Sequence, residues 1–343
     1  MNPDQLKSVD APHLHIGFTK DELMLKTLLA MSIIALASVI IMGDAALIHI
    51  LVAMGTSVIV QTVITTYQKV QGKKVTYESS ASTLVAGMIV GLSMPIGGPF
   101  YMTAAVAFLT VLVFKYGQGH YFKRKYLNPA AASKAILLGL LSAMIFLEDS
   151  LRTGMIFHPH HLELNLWTDE GFLASMWIFS REEVFGQSLS ATQSLYFWQT
   201  HGWIGGACGL LVLVVGSLAA YWLKYKWRII AASMLTMTAL SVIMGLATGG
   251  SVLLRIAFHV FTGSFVFMAF FMATEPQSTP MPDKSQILFG VLLAVLTFLF
   301  QMLNILGGSI YALIILNVCT PYLDQIGYKI PYGHTKSEEG GNT

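Results

Sequence analysis

Residues 24–43 read MLKTLLAMSIIALASVIIMG, and residues 45–66 read AALIHILVAMGTSVIVQTVITT. A helix needs about 20 predominantly apolar residues to cross the hydrocarbon core of a bilayer. Each run has about that length, and Lys26 is the only Lys, Arg, Asp or Glu in either of them. The pair therefore predicts two consecutive membrane-spanning helices.

The composition of the whole chain agrees with this prediction. Of the 343 residues, 55% are hydrophobic and only 11% are charged, and the mean hydropathy is +0.64. A soluble globular protein carries about a quarter charged residues. The formal net charge is +2, and no basic block points to nucleic acid. We therefore expect an all-α integral membrane protein with membrane lipid around it and no nucleic-acid partner.

Counting apolar runs of this length along the chain predicts ten membrane-spanning helices. They are expected at 24–43, 45–66, 79–96, 99–116, 130–147, 202–223, 228–246, 252–273, 285–304 and 308–323. The first run follows about twenty polar residues and precedes many further spans, so it is interpreted as a span rather than a cleavable signal peptide.

The distribution of Lys and Arg predicts the orientation of these spans. Tracing the chain from a cytoplasmic N-terminus places every Lys and Arg except Arg152, Arg181 and Arg255 on the cytoplasmic side. Cytoplasmic loops of membrane proteins are enriched in these residues. Both termini are therefore expected in the cytoplasm. The resulting division is a cytoplasmic segment 1–23, spans 24–147, one long external loop 148–201 between helices 5 and 6, spans 202–323 and a cytoplasmic tail 324–343.

The external loop carries two groups of chemically active residues. His158, His160 and His161 form a cluster that can bind a transition metal, although adjacent side chains on a loop rarely converge on one ion. Residues 188–195 read SLSATQSL, and these hydroxyl groups can equally cap a helix or form turns before the sixth span. The residues alone favour a solvated loop and a helix cap.

Irregular segments also lie at the ends of several spans. GLSMPIGGPF (91–100) and GLATGGS (245–251) contain glycines that permit left-handed backbone and close helix approach. Asn128–Pro129 and Glu275–Pro276 lie at corresponding ends on the cytoplasmic side, where a proline begins a helix or ends the previous one. The exposed N-terminus of such a helix can also bind an anionic or carbonyl-rich ligand.

Few ionisable residues lie within the predicted spans. Apart from the Lys and Arg residues assigned to the cytoplasmic side, they are His49, Arg255 and His259, with Asp44 at an outer edge. Arg255 and His259 share one helix face because they are four residues apart. Two interpretations stay open: an inward-facing pair satisfied by backbone or neighbouring subunits, or a contact to a ligand carbonyl or an ion path. Cys208 and Cys319 have no metal-site or disulfide spacing and are expected to be small core residues.

Six stretches resemble, in the same order, a known family of membrane proteins that carry flavin. They are APHLHIGFTKDELML (11–25), TLVAGMIVGLSMP (83–95), GQGHYFKRKYLNPAA (117–131), KWRIIAASML (226–235), FVFMAFFMATEPQSTPMP (265–282) and GGSIYALIILNVCTPYLDQ (307–325). The family includes the RnfD protein of the Rnf complex and the NqrB protein of the sodium-translocating NADH:quinone oxidoreductase. The length of the chain resembles the Rnf-type protein more closely.

The resemblance implies a covalent flavin on the external loop. In this family a Ser/Thr-Gly-Ala-Thr motif carries FMN through a phosphoester on its last threonine. The matching residues here are Leu189, Ser190, Ala191 and Thr192, so Thr192 is the expected attachment site. Ser190 stands where the family has glycine, and Leu189 also departs from the motif.

The resemblance also implies a second cofactor, several partners and a location. Family members bind riboflavin noncovalently among their helices, and Asn128 is an expected contact. The chain would be one component of an Rnf-type complex in a prokaryotic cytoplasmic membrane, matured by a flavin transferase. It would relay electrons while the complex moves Na⁺ or H⁺. It has no dinucleotide-binding fingerprint and no cysteine cluster, so oxidation of NADH would belong to other subunits.

Two other functions fit the same residues. A secondary transporter or channel would use a ten-helix bundle without a redox cofactor. A flavin-free scaffold would only hold such a complex together. The presence or absence of bound flavin separates both from the electron relay.

Overall fold

The computed structural model describes residues 20–72, 80–95, 98–122, 125–147, 167–168, 203–206, 209–223, 226–261, 264–303, 305 and 307–327. Within these ranges the chain is helical and contains no strand, apart from one isolated bridge between Pro95 and Trp203. The all-α prediction is therefore confirmed for the described part of the chain.

Twelve α-helices follow one another in these ranges. The first six are α1 (Lys20–Met42), α2 (Asp44–Val70), α3 (Ser80–Leu92), α4 (Phe100–Leu109), α5 (Gln118–Tyr121) and α6 (Pro129–Leu147). The others are α7 (Gly209–Leu223), α8 (Trp227–Thr248), α9 (Val252–Phe261), α10 (Phe265–Phe267), α11 (Asp283–Met302) and α12 (Gly308–Gly327). A π-helix, Thr110–Gly117, joins α4 to α5, and a second, Met268–Met272, continues α10.

Six helical segments of the described chain are long and apolar enough to cross a membrane, or seven if the bent pair α9–α10 is one span. Every one of the ten predicted spans coincides with a helical segment, but the count of ten crossings stays a prediction. Large apolar side chains such as Ile40, Val63 and Leu246 are exposed on the outer faces of these helices. Such surfaces are expected where lipid, and not water, surrounds the protein.

The third predicted span ends earlier than expected. The prediction was 79–96, whereas the helix described from Ser80 ends at Leu92. Its end is set by a contact between distant segments: the Ile204 backbone N–H donates to the Met94 carbonyl at 3.0 Å, beside the Pro95–Trp203 bridge. This end of α3 is thus held by the segment that precedes α7.

The eighth predicted span is broken. Helix α9 ends at Phe261, the helix resumes at Phe265, and the two pieces are bent by 59°. The Ser264 hydroxyl, just before the second piece, lies 3.0 Å from the Ser309 hydroxyl of α12. In membrane proteins, non-helical backbone at membrane depth is tolerated where protein buries it.

The glycine segments have the packing role that the sequence predicts. A β-carbon on Gly91 would lie 2.9 Å from the Ile50 α-carbon, and one on Gly245 would lie 3.0 Å from the Val252 α-carbon. Gly249 ends α8 with a φ of 72°, in the left-handed region. These glycines let α3 approach α2, and let the chain turn from α8 into α9.

Candidate functional site

The Asn128–Pro129 turn begins α6, as the sequence predicts. The Asn128 Oδ1 atom accepts the Ala131 backbone N–H at 3.1 Å, which is an N-cap contact. The Asn128 Nδ2 atom donates to the Met272 carbonyl at 2.9 Å. Asn128 is buried, and these two bonds fix the start of α6 against the end of the second π-helix.

The Glu275–Pro276 turn is organised by its own carboxylate and by a lysine from another segment. The Glu275 carboxylate accepts the backbone N–H groups of Gln277 and Ser278 at 3.0 and 2.7 Å. The Lys226 Nζ atom donates to the carbonyls of Pro276 and Thr279 at 3.1 and 2.8 Å. A buried ammonium therefore closes this turn.

Asn317 of α12 joins the two turns. Its Oδ1 atom accepts the Asn128 backbone N–H at 2.9 Å, and its Nδ2 atom donates to the Ser278 carbonyl at 3.0 Å. The two Pro turns, about 150 residues apart in sequence, thus form one hydrogen-bonded unit. Buried hydrogen-bond networks of this kind rigidify the segments that they join.

A cavity of about 120 Å³ lies beside this unit, and we call it the inner cavity. Its walls come from the start of α1, from α3, from the Asn128 turn, from the end of α7 and from the second π-helix. Apolar side chains such as Ile89, Leu223 and Phe271 form most of the lining, and Asn128 and Thr274 add polar groups. Mostly apolar walls with a few polar groups are typical of small-molecule sites.

Two lysines also line the inner cavity. Lys115 is 2% exposed, and its Nζ atom donates to the Thr83 hydroxyl at 2.8 Å. Lys115 lies in the first π-helix, a backbone form that is frequent at functional sites. Lys125 is also buried. Glu275 lines the cavity as well, so both positive and negative residues contribute to its walls.

A larger apolar groove of about 650 Å³ adjoins the inner cavity between α7 and α8. The two spaces share Ala220, Ile230 and Phe270 as lining residues. The Phe270 ring packs against Gly216, where a β-carbon would lie 2.6 Å from the ring. Phe270 is thus the side chain whose rotation would join the two spaces.

Arg255 and His259 lie together on α9 and are fully buried. The Arg255 Nη2 atom donates to the Thr168 carbonyl at 3.1 Å, so this side chain contacts the backbone of the predicted external loop. The His259 Nδ1 atom lies 2.9 Å from Gln301 Oε1, and Gln301 Nε2 donates back to the His259 carbonyl at 3.2 Å. The burial of both side chains and the backbone partner of Arg255 fit the first of the two interpretations given above, and the second stays open.

Several sequence-predicted residues lie outside the described ranges. These are Ser190, Ala191 and Thr192 of the expected flavin motif, the histidines His158, His160 and His161, and Cys208. The attachment of FMN and the metal hypothesis therefore stay predictions. Within the described ranges, no group of three or more His, Cys, Asp or Glu side chains is placed to hold a metal ion.

The structure shows a property of four lysines that the sequence did not indicate. Lys115, Lys125, Lys134 and Lys226 were assigned to the cytoplasmic side, and all four are buried in protein. Lys134 even reaches Trp203, which begins the sixth predicted span at its outer end. Burial depends on partners from distant helices, so a count of charges along the chain does not reveal it.

Comparison with known proteins identifies relatives across almost the whole chain. Residues 7–333 match the family model described as the NQR2, RnfD, RnfE family. A component of the proton-translocating ferredoxin:NAD(+) oxidoreductase complex of Clostridium ljungdahlii is 26% identical over 94% of this chain and 95% of its own. A component of the Na(+)-translocating ferredoxin:NAD(+) oxidoreductase complex of Acetobacterium woodii is 23% identical over 98% of both chains.

The family match includes both Pro turns and every helix that lines the inner cavity. It agrees with the resemblance seen in the six sequence stretches. The chain is a member of the NQR2, RnfD, RnfE family of membrane proteins.

Proposed function

We propose that this chain is the membrane electron-transfer subunit of an Rnf-type ion-translocating oxidoreductase complex. Its relatives are named as components of proton- or Na(+)-translocating ferredoxin:NAD(+) oxidoreductase complexes, and they match it over nearly their full length. The other subunits of such a complex are its partners, in a prokaryotic cytoplasmic membrane. The observation that carries this proposal is the nearly full-length match to components of ferredoxin:NAD(+) oxidoreductase complexes.

The proposed outer cofactor is FMN, attached to Thr192 through a phosphoester by a flavin transferase. Bound flavin supplies one- and two-electron chemistry, and a covalent bond prevents its loss to the aqueous space. Thr192 provides the hydroxyl oxygen of the ester, and Ser190 and Ala191 precede it in the motif. The Arg255 contact to the Thr168 backbone ties the loop that bears Thr192 to α9.

The proposed inner cofactor is noncovalent riboflavin in the inner cavity. The cavity alone, at about 120 Å³, is smaller than the roughly 300 Å³ at the lower end of ligand pockets. The adjoining groove supplies the missing space once Phe270 rotates. The inner cavity as it stands does not hold the isoalloxazine ring, and the proposal requires Phe270 to move.

The residues around the inner cavity then have distinct tasks. Phe271 and the aliphatic walls pack on the ring faces and exclude water. Asn128 keeps one Nδ2 hydrogen and one Oδ1 lone pair beyond its two protein bonds, and these can bond the polar edge of the ring. Lys115, held by Thr83, places positive charge beside the ring.

The test is flavin fluorescence of the purified chain, made together with its flavin transferase. On a denaturing gel, the wild-type band should fluoresce and the Thr192→Val band should not. Ser194→Ala is the matched control, because it removes a nearby hydroxyl outside the motif and should keep the fluorescence. Flavin released by denaturing the Thr192→Val chain would be the noncovalent cofactor.

Two outcomes would move the assignment to another function. A wild-type chain without covalent or released flavin would contradict the relay and favour a transporter, a channel or a flavin-free scaffold. Released flavin without gel fluorescence would contradict Thr192 as the attachment site and keep the relay through the inner cavity alone.

A further inference from the structure

The groove between α7 and α8 runs lengthwise along both helices. Its lining residues recur every three or four positions on α8, from Trp227 to Leu235, and on α7, from Leu213 to Tyr221. Each set forms one helix face over about 12 Å of rise. Both helices pack on the second π-helix, and Phe270 closes the groove on that side. One leaflet of hydrocarbon is about 15 Å deep, so the groove has nearly the length of a leaflet.

The two ends of the groove differ in chemistry. The end lined by Leu213, Met234 and Leu235 is entirely apolar. The other end, where α7 is followed by α8, is lined by Tyr221 and Trp227, which are 76% and 48% exposed. Tyr and Trp are enriched where a membrane meets water, because their rings lie among apolar groups and their polar atoms face water. The groove therefore has the polarity of an amphiphile, apolar along its length and polar at one end.

An exposed ion pair lies at the polar end. The Arg228 guanidinium carbon is 5.1 Å from the centroid of the Trp227 ring, and Arg228 Nη1 is 2.9 Å from Asp283 Oδ1. Within the described ranges, neither charged group has a further hydrogen-bond or ion-pair partner. The remaining guanidinium N–H groups and the second carboxylate oxygen can therefore bind a ligand. A positive and a negative group side by side match a ligand that carries both charges.

We propose that this groove binds a phospholipid whose head group carries a phosphate and a primary ammonium, as in phosphatidylethanolamine. One acyl chain lies between α7 and α8 against Phe270, the phosphate accepts hydrogen bonds from Arg228, and the ammonium donates to Asp283. A helix of a partner protein fits less well, because it would bury the exposed ion pair and remove its hydration. This inference goes beyond the electron-relay proposal and does not depend on bound flavin, since the lipid fills the groove with Phe270 in its present position.

The size of the head-group effect follows from the exposure of the ion pair. The Arg228 and Asp283 side chains are 34% and 64% exposed. Exposed charge pairs change an equilibrium constant by roughly 1.5- to 5-fold. Phosphatidylglycerol has the same phosphate but no ammonium to pair with Asp283. We therefore expect the chain to bind phosphatidylethanolamine about two- to fivefold more tightly than phosphatidylglycerol.

The test is native mass spectrometry of the delipidated full-length chain in detergent, titrated with palmitoyl-oleoyl phosphatidylethanolamine or with phosphatidylglycerol of the same acyl chains. Asp283→Asn should abolish the preference between the two lipids, whereas Asp283→Glu keeps the charge and should keep the preference. Arg228→Met should weaken both lipids by about two- to fivefold, because both contain the phosphate. Lys284→Met, at an exposed position next to Asp283, is the matched control and should change neither affinity.

A second pair of variants tests the acyl chain. Ser217 lines the groove and is exposed, so Ser217→Phe places a ring in the groove without entering the core. It should abolish the specific binding of both lipids, since packing contacts hold the chain. Leu218→Phe is the matched control, because Leu218 is exposed beside Ser217 but does not line the groove, and it should leave binding unchanged.

The contrary outcomes are equally definite. A wild-type chain that binds both lipids equally, or prefers phosphatidylglycerol, would overturn the inference, as would a preference that survives Asp283→Asn. Specific binding that survives Ser217→Phe would overturn the groove as the site. A folded wild-type chain that binds neither lipid would also overturn the inference and leave the groove to a partner protein.

Discussion

Replacement of Asn128 by alanine is the sharpest perturbation of the unit that joins the two Pro turns. The substitution removes the cap on the Ala131 N–H and the donor to the Met272 carbonyl. The backbone N–H of residue 128 remains and still bonds Asn317. Asn128→Ala therefore deletes two side-chain interactions and keeps the third, which belongs to the backbone.

The two losses can be assigned separate magnitudes. Loss of an N-cap costs about 1 kcal/mol. A buried carbonyl left without its donor costs about 1–3 kcal/mol. We therefore expect Asn128→Ala to lower the free energy of unfolding by about 2–4 kcal/mol. Asn128→Ser keeps a capping oxygen and removes only the donor to the Met272 carbonyl. It should therefore lower the free energy of unfolding by about 1 kcal/mol less than Asn128→Ala does.

The assay is unfolding of the purified chain by titration of a denaturing detergent, with helix content as the readout. Asn317→Ala in both backgrounds forms a double-mutant cycle. Asn128→Ala keeps the backbone N–H that bonds Asn317, so coupling between the two substitutions measures how far the two turns act as one unit. If Asn128→Ala lowered the free energy of unfolding by less than about 0.5 kcal/mol, the two side-chain hydrogen bonds of Asn128 would be refuted as stabilising interactions. A buried network cannot lose two hydrogen bonds at so small a cost in free energy.

Three further changes, the first with a matched control, test the packing around the site. Gly290→Ala should destabilise the chain by more than about 2 kcal/mol in the same unfolding assay, because its β-carbon would lie 2.6 Å from a backbone carbonyl oxygen of α8. Gly139→Ala in α6 is its control, since it meets open space and should be neutral or stabilising. Lys226→Met leaves several carbonyls of the Glu275 turn without a donor. It should lower the free energy of unfolding, measured by the same detergent titration, by about 2–4 kcal/mol. Gly216→Ala pushes on the Phe270 ring and should reduce the flavin retained after gel filtration, whereas unchanged retention would exclude Phe270 as the boundary that must move.

The elements that local sequence dictates were predicted well. The apolar run 24–43 became α1, which ends at Met42, one residue before Gly43 with its φ of 71°. Pro129 begins α6 because proline fits the first helical position and Asn128 provides the cap. The approach of Gly91 to α2 followed from glycine chemistry alone.

Features that depend on distant residues were not predictable. Helix α3 ends before its apolar run does because Met94 bonds Ile204, a residue more than a hundred positions later. The burial of Lys115 and Lys134, in contact with Thr83 and Trp203, was not indicated by the sequence. The inner cavity itself combines segments from both ends of the chain. A single sequence contains no signal for such pairings.

The most direct test of the electron-relay assignment is peptide mass spectrometry of the chain purified with its flavin transferase. The account predicts that the peptide containing SLSATQSL carries one FMN through a phosphoester, with fragment ions that place it on Thr192. It also predicts one riboflavin released on denaturation. A peptide of unmodified mass, from a chain that releases no flavin, would contradict the account.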